Sequence, residues 1–347
     1  MAFRTMFLAL MVASQTFVAS AELPAGHHDF DFQFGTWRVH VLRLEHPATG
    51  AATWVKYDGT HVVAKVWGGR ANLGVLEIDG PAGHIEGQSL RMYDQQTRQW
   101  SFTFAESSAG VLGMPMSGEF KNGRGVFYAQ GTRDGRVVFE RSVTSDITAN
   151  AYRDEYGFSS DGGKTWQPDW IAIYTRTSTS AAPAPSTTPI AGDAHAHDFD
   201  FNIGTWRTHI RFLEEPANGP PVWSRLEGTV TVHKIWGGRA SMEEIEADGA
   251  TGHFEGLTMF LYKPQTHEWS QTFAAGSDGT FTASMIGAFA NGRGELVSQD
   301  QYQGKAALIR GVWSHITPNA HHFEEDISRD AGETWHPHFI ANLTRLR

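Results

Sequence analysis

The stretch DFDFQFGTWR (Asp29–Arg38) returns 169 residues later as DFDFNIGTWR (Asp198–Arg207). The same offset relates two Trp-Gly-Gly-Arg segments, Trp67–Arg70 and Trp236–Arg239. Because the offset stays constant without a gap, the two halves are expected to share one fold. A period this long corresponds to a whole globular domain rather than to a solenoid repeat.

Four regions follow from this repeat and from the composition along the chain. Residues 1–21 combine a basic start, an apolar run and a small-residue cleavage site, which predicts a secretory signal peptide. Residues 22–176 and 195–347 are the two domains. Residues 177–194 are rich in Ser, Thr, Ala and Pro, which is typical of an extended linker. We therefore expect a periplasmic or secreted protein.

Composition limits the classes of partner. The chain has no cysteine, which excludes disulfides and thiolate metal sites. Its net charge of −10, without a basic cluster, argues against nucleic acid as a partner. Beyond the signal peptide no stretch is apolar for long enough to predict stable membrane insertion. The 12 Trp and 22 Phe are sufficient to line two cavities.

Alternating segments and regularly spaced turns predict an all-β fold. Segments such as Thr36–Leu44 and Arg136–Ser145 alternate with period two, and turn pairs such as Asn122-Gly123 separate them. The spacing predicts roughly ten antiparallel strands in each half. Such a set closes most economically into a β-barrel, because closure removes the edge strands, although a sandwich also satisfies the pattern.

One hairpin motif occurs once in each half. The segment Ser159–Trp166 and its counterpart Ser328–Trp335 are similar to the Asp-box hairpin of sialidase-type propellers. A propeller would need this motif in every blade, at a much shorter period. We interpret the segment as a hairpin in which Asp161 caps its own turn and Trp166 covers it.

The ends of each half carry a family resemblance. Gly35-Thr36-Trp37, with Arg176 ending the last strand, resembles the lipocalin signature, in which a final-strand Arg covers a first-strand Gly-x-Trp. Gly204-Thr205-Trp206 and Arg345 repeat it. With the Trp-Gly-Gly-Arg segment and the Asp-box hairpin, the chain resembles a bacterial family of uncharacterised secreted lipocalin-like (calycin-like) domains.

The resemblance implies two tandem antiparallel, roughly ten-stranded lipocalin-like β-barrels, joined by the Pro/Ser/Thr-rich linker. It also implies an internal cavity, in a superfamily that mostly binds small apolar molecules and occasionally catalyses isomerisation or hydration. It implies no particular reaction, because sites are grafted onto such folds.

Polar residues present in both halves are the first candidates for a site. Arg141 shares its strand face with Val137 and Phe139, and an Arg on an apolar face requires a carboxylate or a ligand anion. We therefore place Arg141 inside the first barrel and its counterpart Arg310 inside the second. The carboxylates that could pair with them are Glu155 and Glu324.

Two further pairs recur in both halves. His84 and Glu86 lie on one strand face, as do His253 and Glu255. A carboxylate beside an imidazole could form a base at a pocket mouth or a solvated ion pair.

An arginine follows each Trp-Gly-Gly turn. Arg70 and Arg239 could bind an anionic ligand through two parallel hydrogen bonds, since the Gly-Gly turn lets a backbone approach closely. The alternative is a structural Arg, stacked on Trp67 or paired with Glu77.

The 17 histidines suggest metal or haem binding only weakly, since no alternating His pair occurs in both halves. We predict neither a metal site nor a cofactor. The leading hypothesis is a secreted or periplasmic protein that binds a small apolar or amphiphilic molecule in each barrel. The alternatives are a cofactor-independent enzyme of isomerase or hydratase type, using the same cavity, and an interaction module with filled barrels. The repeat also allows the two domains to pack as a pseudo-dimer.

Overall fold

The computed structural model describes residues 26–45, 51–181, 193–214, 220–277 and 279–346. The predicted signal peptide, residues 1–21, lies outside the described residues, and so do residues 182–192 of the predicted linker. Within the described part of the chain, no helix is long and apolar enough to cross a membrane.

Ten antiparallel strands of the described residues form the first barrel. Each strand pairs with the next along the chain, and the last pairs with the first, so the sheet is closed. The strands are β1 Gly35–Glu45, β2 Thr53–Val66, β3 Ala71–Gly80, β4 Gly83–Asp94, β5 Gln99–Glu106, β6 Met116–Lys121, β7 Arg124–Arg133, β8 Arg136–Ser145, β9 Ala151–Ser159 and β10 Gln167–Ser178.

The described residues of the second half form a barrel of the same topology. Its strands are β11 Gly204–Glu214, β12 Val222–Ile235, β13 Ala240–Gly249, β14 Gly252–Lys263, β15 Glu268–Ala275, β16 Met285–Ala290, β17 Arg293–Tyr302, β18 Lys305–Ser314, β19 Ala320–Ser328 and β20 His336–Arg345. The predicted fold class, two ten-stranded antiparallel β-barrels, is confirmed, and the sandwich alternative is wrong.

One end of the first barrel is closed by the segment before β1. The Arg176 guanidinium lies 4.0 Å from the centroid of the Trp37 ring, which is fully buried. The same guanidinium donates hydrogen bonds to the carbonyl oxygens of Phe32, Phe34 and Ala149, at 2.5, 2.5 and 2.7 Å. A charged group thus satisfies three backbone acceptors and covers an aromatic ring.

The second barrel repeats this closure. Arg345 lies 4.0 Å from the centroid of the Trp206 ring and donates to the carbonyl oxygens of Phe201 and Ile203. The Gly-x-Trp and final Arg predicted to meet at one barrel end do so in both halves.

The Asp161 hairpin is a turn that caps itself. The Asp161 carboxylate accepts hydrogen bonds from the backbone amides of Lys164 and Thr165 and from the hydroxyl groups of Ser159 and Thr165. Those bonds to the charged form lower the pKa of Asp161 to about 2. The Trp166 ring lies against this turn, 3.7 Å from the position that a Cβ of Gly163 would take, so the structural interpretation of the hairpin is confirmed.

Candidate functional site

The interior of the first barrel contains a cavity of about 620 Å3. It extends from the closed end, at Phe30, to the opposite end, where β1 and β5 end and β10 begins. A cavity of this size is typical of sites for small organic ligands. Its apolar lining comprises Phe30, Leu44, Leu76, Phe102, Phe104, Met114, Met116, Phe127 and Trp170. Its polar lining comprises Arg43, Glu45, His61, Ser89, Arg91, Glu106, Arg133, Glu140, Ser142, Thr144, Asp154, Tyr156, Asp169 and Tyr174.

The face of β8 that lines the cavity is the polar one. Glu140, Ser142 and Thr144 point inward, whereas Val137 and Phe139 are 62% and 43% exposed on the outer face. Arg141 belongs to that outer face. Its predicted location inside the barrel is therefore wrong, because the face of β8 that carries Val137, Phe139 and Arg141 points away from the cavity.

On the outer face, Arg141 has structural partners. Its guanidinium stacks on Trp166, 4.3 Å from the ring centroid, and lies 3.8 Å from a carboxylate oxygen of Glu155. Glu155 also pairs with Arg153 at 2.6 Å. The predicted partner Glu155 is thus correct, although the pair lies outside the cavity.

Arg310 occupies the equivalent outer position on β18. It stacks on Trp335 at 4.2 Å and pairs with the buried Asp326 at 2.7 Å, not with Glu324. Glu324 lies 3.8 Å from His322. The carboxylate predicted for Arg310 was the wrong one, since the repeat has Gly157 where the second half has Asp326.

The two predicted His–Glu pairs lie on outer strand faces. His84 bonds Asp79 across the hairpin at 2.8 Å, and His253 bonds Asp248 at 2.9 Å. Both histidines are exposed. The hairpin register brings an Asp opposite each His, and this cross-strand contact is closer than the 4.0 Å from His253 to Glu255. The residue Glu86 is buried and is not part of the cavity lining.

Arg70 and Arg239 follow β2 and β12, at the end where Trp37 and Trp206 lie. Arg70 does not line the cavity of the first barrel. A role of either arginine in ligand binding stays a prediction.

The deepest charged residue of the cavity is Arg91 on β4. It is 5% exposed, and its Nη1 donates to Ser89 Oγ at 2.9 Å and to Asn72 Oδ1 at 3.3 Å. The guanidinium lies 5.1 Å from the centroid of the Phe30 ring and 4.8 Å from that of Phe102. Among the described residues, no carboxylate oxygen lies within 4.0 Å of the Arg91 guanidinium, so Arg91 forms no ion pair there.

His61 on β2 lines the same region. Its Nδ1 lies 3.3 Å from the hydroxyl of Tyr152, and its ring lies against Tyr174. Burial, with the charge of Arg91, lowers the pKa of His61 to about 3. The imidazole is therefore neutral at physiological pH and can accept or donate one hydrogen bond in the cavity.

Asp154 on β9 faces the cavity from another wall. Thr144 Oγ1 donates to its Oδ1 at 2.6 Å, and no described cation lies within ion-pair distance. Burial raises the pKa of Asp154, while the charge of Arg91 and the Thr144 hydrogen bond partly offset that rise.

The charges at the cavity mouth, in contrast, are paired with one another. Arg133 bonds Asp169 at 2.5 Å and lies 3.6 Å from Glu140. Arg43 lies 3.2 Å from Glu106 and 3.4 Å from Glu45. The mouth arginines are thus already neutralised, and of the cavity arginines only Arg91 lacks a carboxylate partner among the described residues.

The second barrel has large apolar side chains at the corresponding interior positions. Val230, Phe260, Trp313, Phe323 and Leu343 replace His61, Arg91, Thr144, Asp154 and Tyr174. All five belong to one continuous hydrophobic cluster, whereas the buried apolar residues of the first barrel form separate clusters.

Several aromatic side chains pack together inside the second barrel. The Trp313 ring lies 5.8 Å from Phe260 and 4.7 Å from Phe323, between centroids. A Cβ added at Gly311 would meet Phe323 at 3.0 Å and Met285 at 3.1 Å. The second barrel thus carries packed side chains where the sequence predicts a ligand cavity.

The residues missed by sequence analysis are Arg91, Asp154, His61 and Ser89. Of the polar residues common to both halves, Arg141, Arg310 and the two His–Glu pairs lie on outer strand faces. The cavity residues are instead marked by a difference between the two halves. Interior positions that are charged or polar in one half and apolar in the other, such as Arg91 against Phe260, distinguish the cavity from the packed core.

No protein-family model and no curated protein matches the chain. Among solved structures, the chain is similar to an S-type phycobiliprotein lyase from Guillardia theta, with 13% identity, a TM-score of 0.30, and coverage of 42% of this chain and 89% of that one. It is also similar to a DUF3598-family protein of unknown function from Nostoc punctiforme, with 11% identity, a TM-score of 0.22, and coverage of 93% and 100%. Transferrin binding protein B from Haemophilus parasuis matches with 7% identity, a TM-score of 0.20, and coverage of 89% and 76%. Likenesses this low carry no argument about function.

Proposed function

We propose that the first barrel binds a small amphiphilic molecule in its cavity, and that the second barrel is a filled structural counterpart. The observation that carries this proposal is the cavity of about 620 Å3 with polar groups at its closed end. A packed core would not leave such a volume beside a buried guanidinium, because burying a charge without a counter-ion is costly.

The distribution of side chains supports an amphiphilic ligand. Arg91, His61 and Asp154 lie towards the closed end, while Leu44, Phe104 and Trp170 lie nearer the mouth, beside the paired charges there. A ligand with its polar end at the floor would satisfy the buried polar groups and bury its apolar part against these side chains.

Export of the protein is part of the same proposal. The basic start, apolar run and small-residue site of residues 1–21 support cleavage and release into the periplasm or the medium. A chain without cysteine is stable in either redox environment, since it can neither lose nor gain a disulfide.

The second barrel itself suggests the test. Its residues can be grafted into the first barrel as His61→Val, Arg91→Phe, Thr144→Trp and Asp154→Phe. We expect the wild-type protein to bind the amphiphilic dye anilinonaphthalene sulfonate in the first barrel. The grafted variant should keep its β-rich circular dichroism spectrum and lose one dye site.

A matched control is the variant Arg141→Met, which changes an outer-face residue of the first barrel only. Dye binding should be unchanged in it. The proposal is wrong if the grafted variant, still folded, binds the dye with the wild-type stoichiometry and affinity. Native mass spectrometry of protein purified from its own host would then show whether any small molecule accompanies the chain.

A further inference from the structure

Arg91 and Asp154 project into the cavity from opposite walls. They lie on β4 and β9, and these strands are five positions apart in a closed ring of ten. No ion pair within 4.0 Å joins the two residues. The space between them belongs to the cavity that both line.

Arg91 retains unused hydrogen-bond donors. Its two side-chain hydrogen bonds within the described residues both come from Nη1, which leaves Nε and Nη2 without acceptors there. A guanidinium binds a carboxylate through two parallel hydrogen bonds, and this geometry is its strongest form of recognition. A buried Arg with free donors therefore favours a ligand carboxylate.

Asp154 retains an unused acceptor. Thr144 occupies Oδ1, and Oδ2 has no hydrogen-bond partner among the described residues. A ligand that approached Asp154 with an alkyl chain would leave that oxygen buried without a partner, which is unfavourable. A hydroxyl or amino group at this point of the ligand would donate to it.

Aromatic side chains line the cavity near Arg91 and His61. Phe30 and Phe102 lie against the Arg91 guanidinium, and Tyr174 lines the cavity near His61. Flat aromatic walls favour a planar ring, which they contact by stacking or by edge-to-face packing.

We propose that the ligand of the first barrel is an aromatic acid that carries a hydrogen-bond donor away from its carboxylate. Arg91 binds the carboxylate, Asp154 accepts the hydrogen bond from the hydroxyl or amino group, and the ring packs between Phe102 and Tyr174. This inference rests on the proposed function, and it excludes plain alkyl acids as the preferred class.

Isothermal titration calorimetry with three probes tests this ligand class on the full chain. The probes are 4-hydroxybenzoate, benzoate, which lacks the donor, and 4-hydroxybenzyl alcohol, which lacks the carboxylate. We expect the wild type to bind 4-hydroxybenzoate at least about tenfold more tightly than either of the others, because benzoate lacks the hydrogen bond to Asp154 and the alcohol lacks the charged hydrogen bonds to Arg91.

The variants assign each preference to a residue. In Asp154→Leu the ratio between 4-hydroxybenzoate and benzoate should fall to about one, and in Arg91→Met the same should hold for 4-hydroxybenzoate and the alcohol. Arg141→Met, on the outer face, should keep both ratios. Ratios within one variant do not depend on how much of it is folded.

Equal affinities of the three probes for the wild type would overturn the inference even if neither variant folds, and so would unchanged ratios in folded variants. The proposed function is tested separately by the dye. If the grafted variant loses the dye site while the benzoates show no such preferences, the cavity binds another class of molecule. If the dye site is also insensitive to the graft, both proposals fail.

Discussion

Gly74 leaves the space that the His61 imidazole occupies. A Cβ at position 74 would lie 2.4 Å from His61 Nε2 and 2.5 Å from Ser89 Oγ. In the second barrel the large polar side chain is at the other position of the pair, with Glu243 in place of Gly74 and Val230 in place of His61. There the buried Glu243 accepts hydrogen bonds from Asn202 at 3.1 Å and from Thr258 at 3.0 Å.

The effects of substituting Gly74 and His61 on the free energy of unfolding should therefore be coupled. We expect Gly74→Glu to destabilise the first barrel by about 1–3 kcal/mol, because the larger side chain meets His61. Adding His61→Val should recover about 1 kcal/mol or more, since the carboxyl then fits as it does beside Val230 and can bond Gln33, whose side chain has no partner among the described residues. Urea unfolding of the four proteins of this double-mutant cycle measures the coupling. His40→Val, at an exposed position, should show none with Gly74→Glu.

Arg176→Ala should lower the free energy of unfolding by about 1–3 kcal/mol. The substitution removes the cover from Trp37 and leaves three carbonyl oxygens without their donor. Arg38→Ala, on the exposed face of β1, is the matched control and should stay within about 0.5 kcal/mol of wild type. Equal melting temperatures for both variants would contradict a stabilising role for the Arg176 closure.

His321 should make the second barrel sensitive to acid. Burial, with the charge of Arg345, lowers its pKa to about 3, and neither ring nitrogen has a hydrogen-bond partner among the described residues. Between its ordinary pKa of 6.5 and about 3, the unfolded chain takes up a proton that the folded protein does not, so stability falls as the pH falls.

His321→Phe removes that proton uptake. Its advantage in melting temperature over wild type should grow as the pH is lowered from about 7 to about 4. Phe254→Leu, whose ring packs on Phe273 in the same barrel, is a control whose effect should be the same at both pH values. An advantage of His321→Phe that does not change with pH would contradict the assignment.

Glu325 should have the opposite effect on the pH dependence of stability, which it should lower as the pH rises. It lies 3.0 Å from His338, and burial, together with Asp326 and Asp300, raises its pKa to about 7. Its folded pKa exceeds the ordinary value of 4.5, so its contribution to stability is lost as the pH rises from 4.5 through about 7. Glu325→Gln cannot ionise, and its amide can still donate to His338.

The stability of Glu325→Gln relative to wild type should therefore rise between about pH 5 and about pH 8. Thermal unfolding at a series of pH values measures the difference. A flat difference would show that Glu325 stays in one protonation state over that range.

Processing of the chain gives one further prediction. The exported protein should begin at Glu22, after the small residues that end the predicted signal peptide. N-terminal sequencing of the exported material measures this directly. Material that retains Met1 would contradict both the signal peptide and the proposed export.

The sequence by itself determined the architecture. A gap-free repeat requires one fold for both halves, and the spacing of turns predicts the ten strands that each barrel contains. The Gly-x-Trp and final Arg also identified the closed end, because these residues keep their roles in both copies. Repetition and turn chemistry were sufficient for the architecture, and the resemblance to the lipocalin signature indicated the closed end.

Only the tertiary structure decided which strand faces line the cavity. Alternation along a strand defines two faces but does not tell which is inside, and the usual rule assigns the apolar face to the interior. On β8 that rule fails, since Glu140 and Ser142 face the cavity while Val137 and Phe139 face outward. A barrel wall that lines a polar cavity inverts the pattern from which Arg141 was placed inside.

The placement of Arg91 opposite Asp154 across the cavity was equally beyond the sequence. The two residues are far apart along the chain, and only closure of the ring places β4 opposite β9. The same closure in the second half brings Phe260, Trp313 and Phe323 together as a packed core. One fold thus holds a cavity in one copy and a filled interior in the other, because a few inward side chains decide whether the space inside the barrel is occupied.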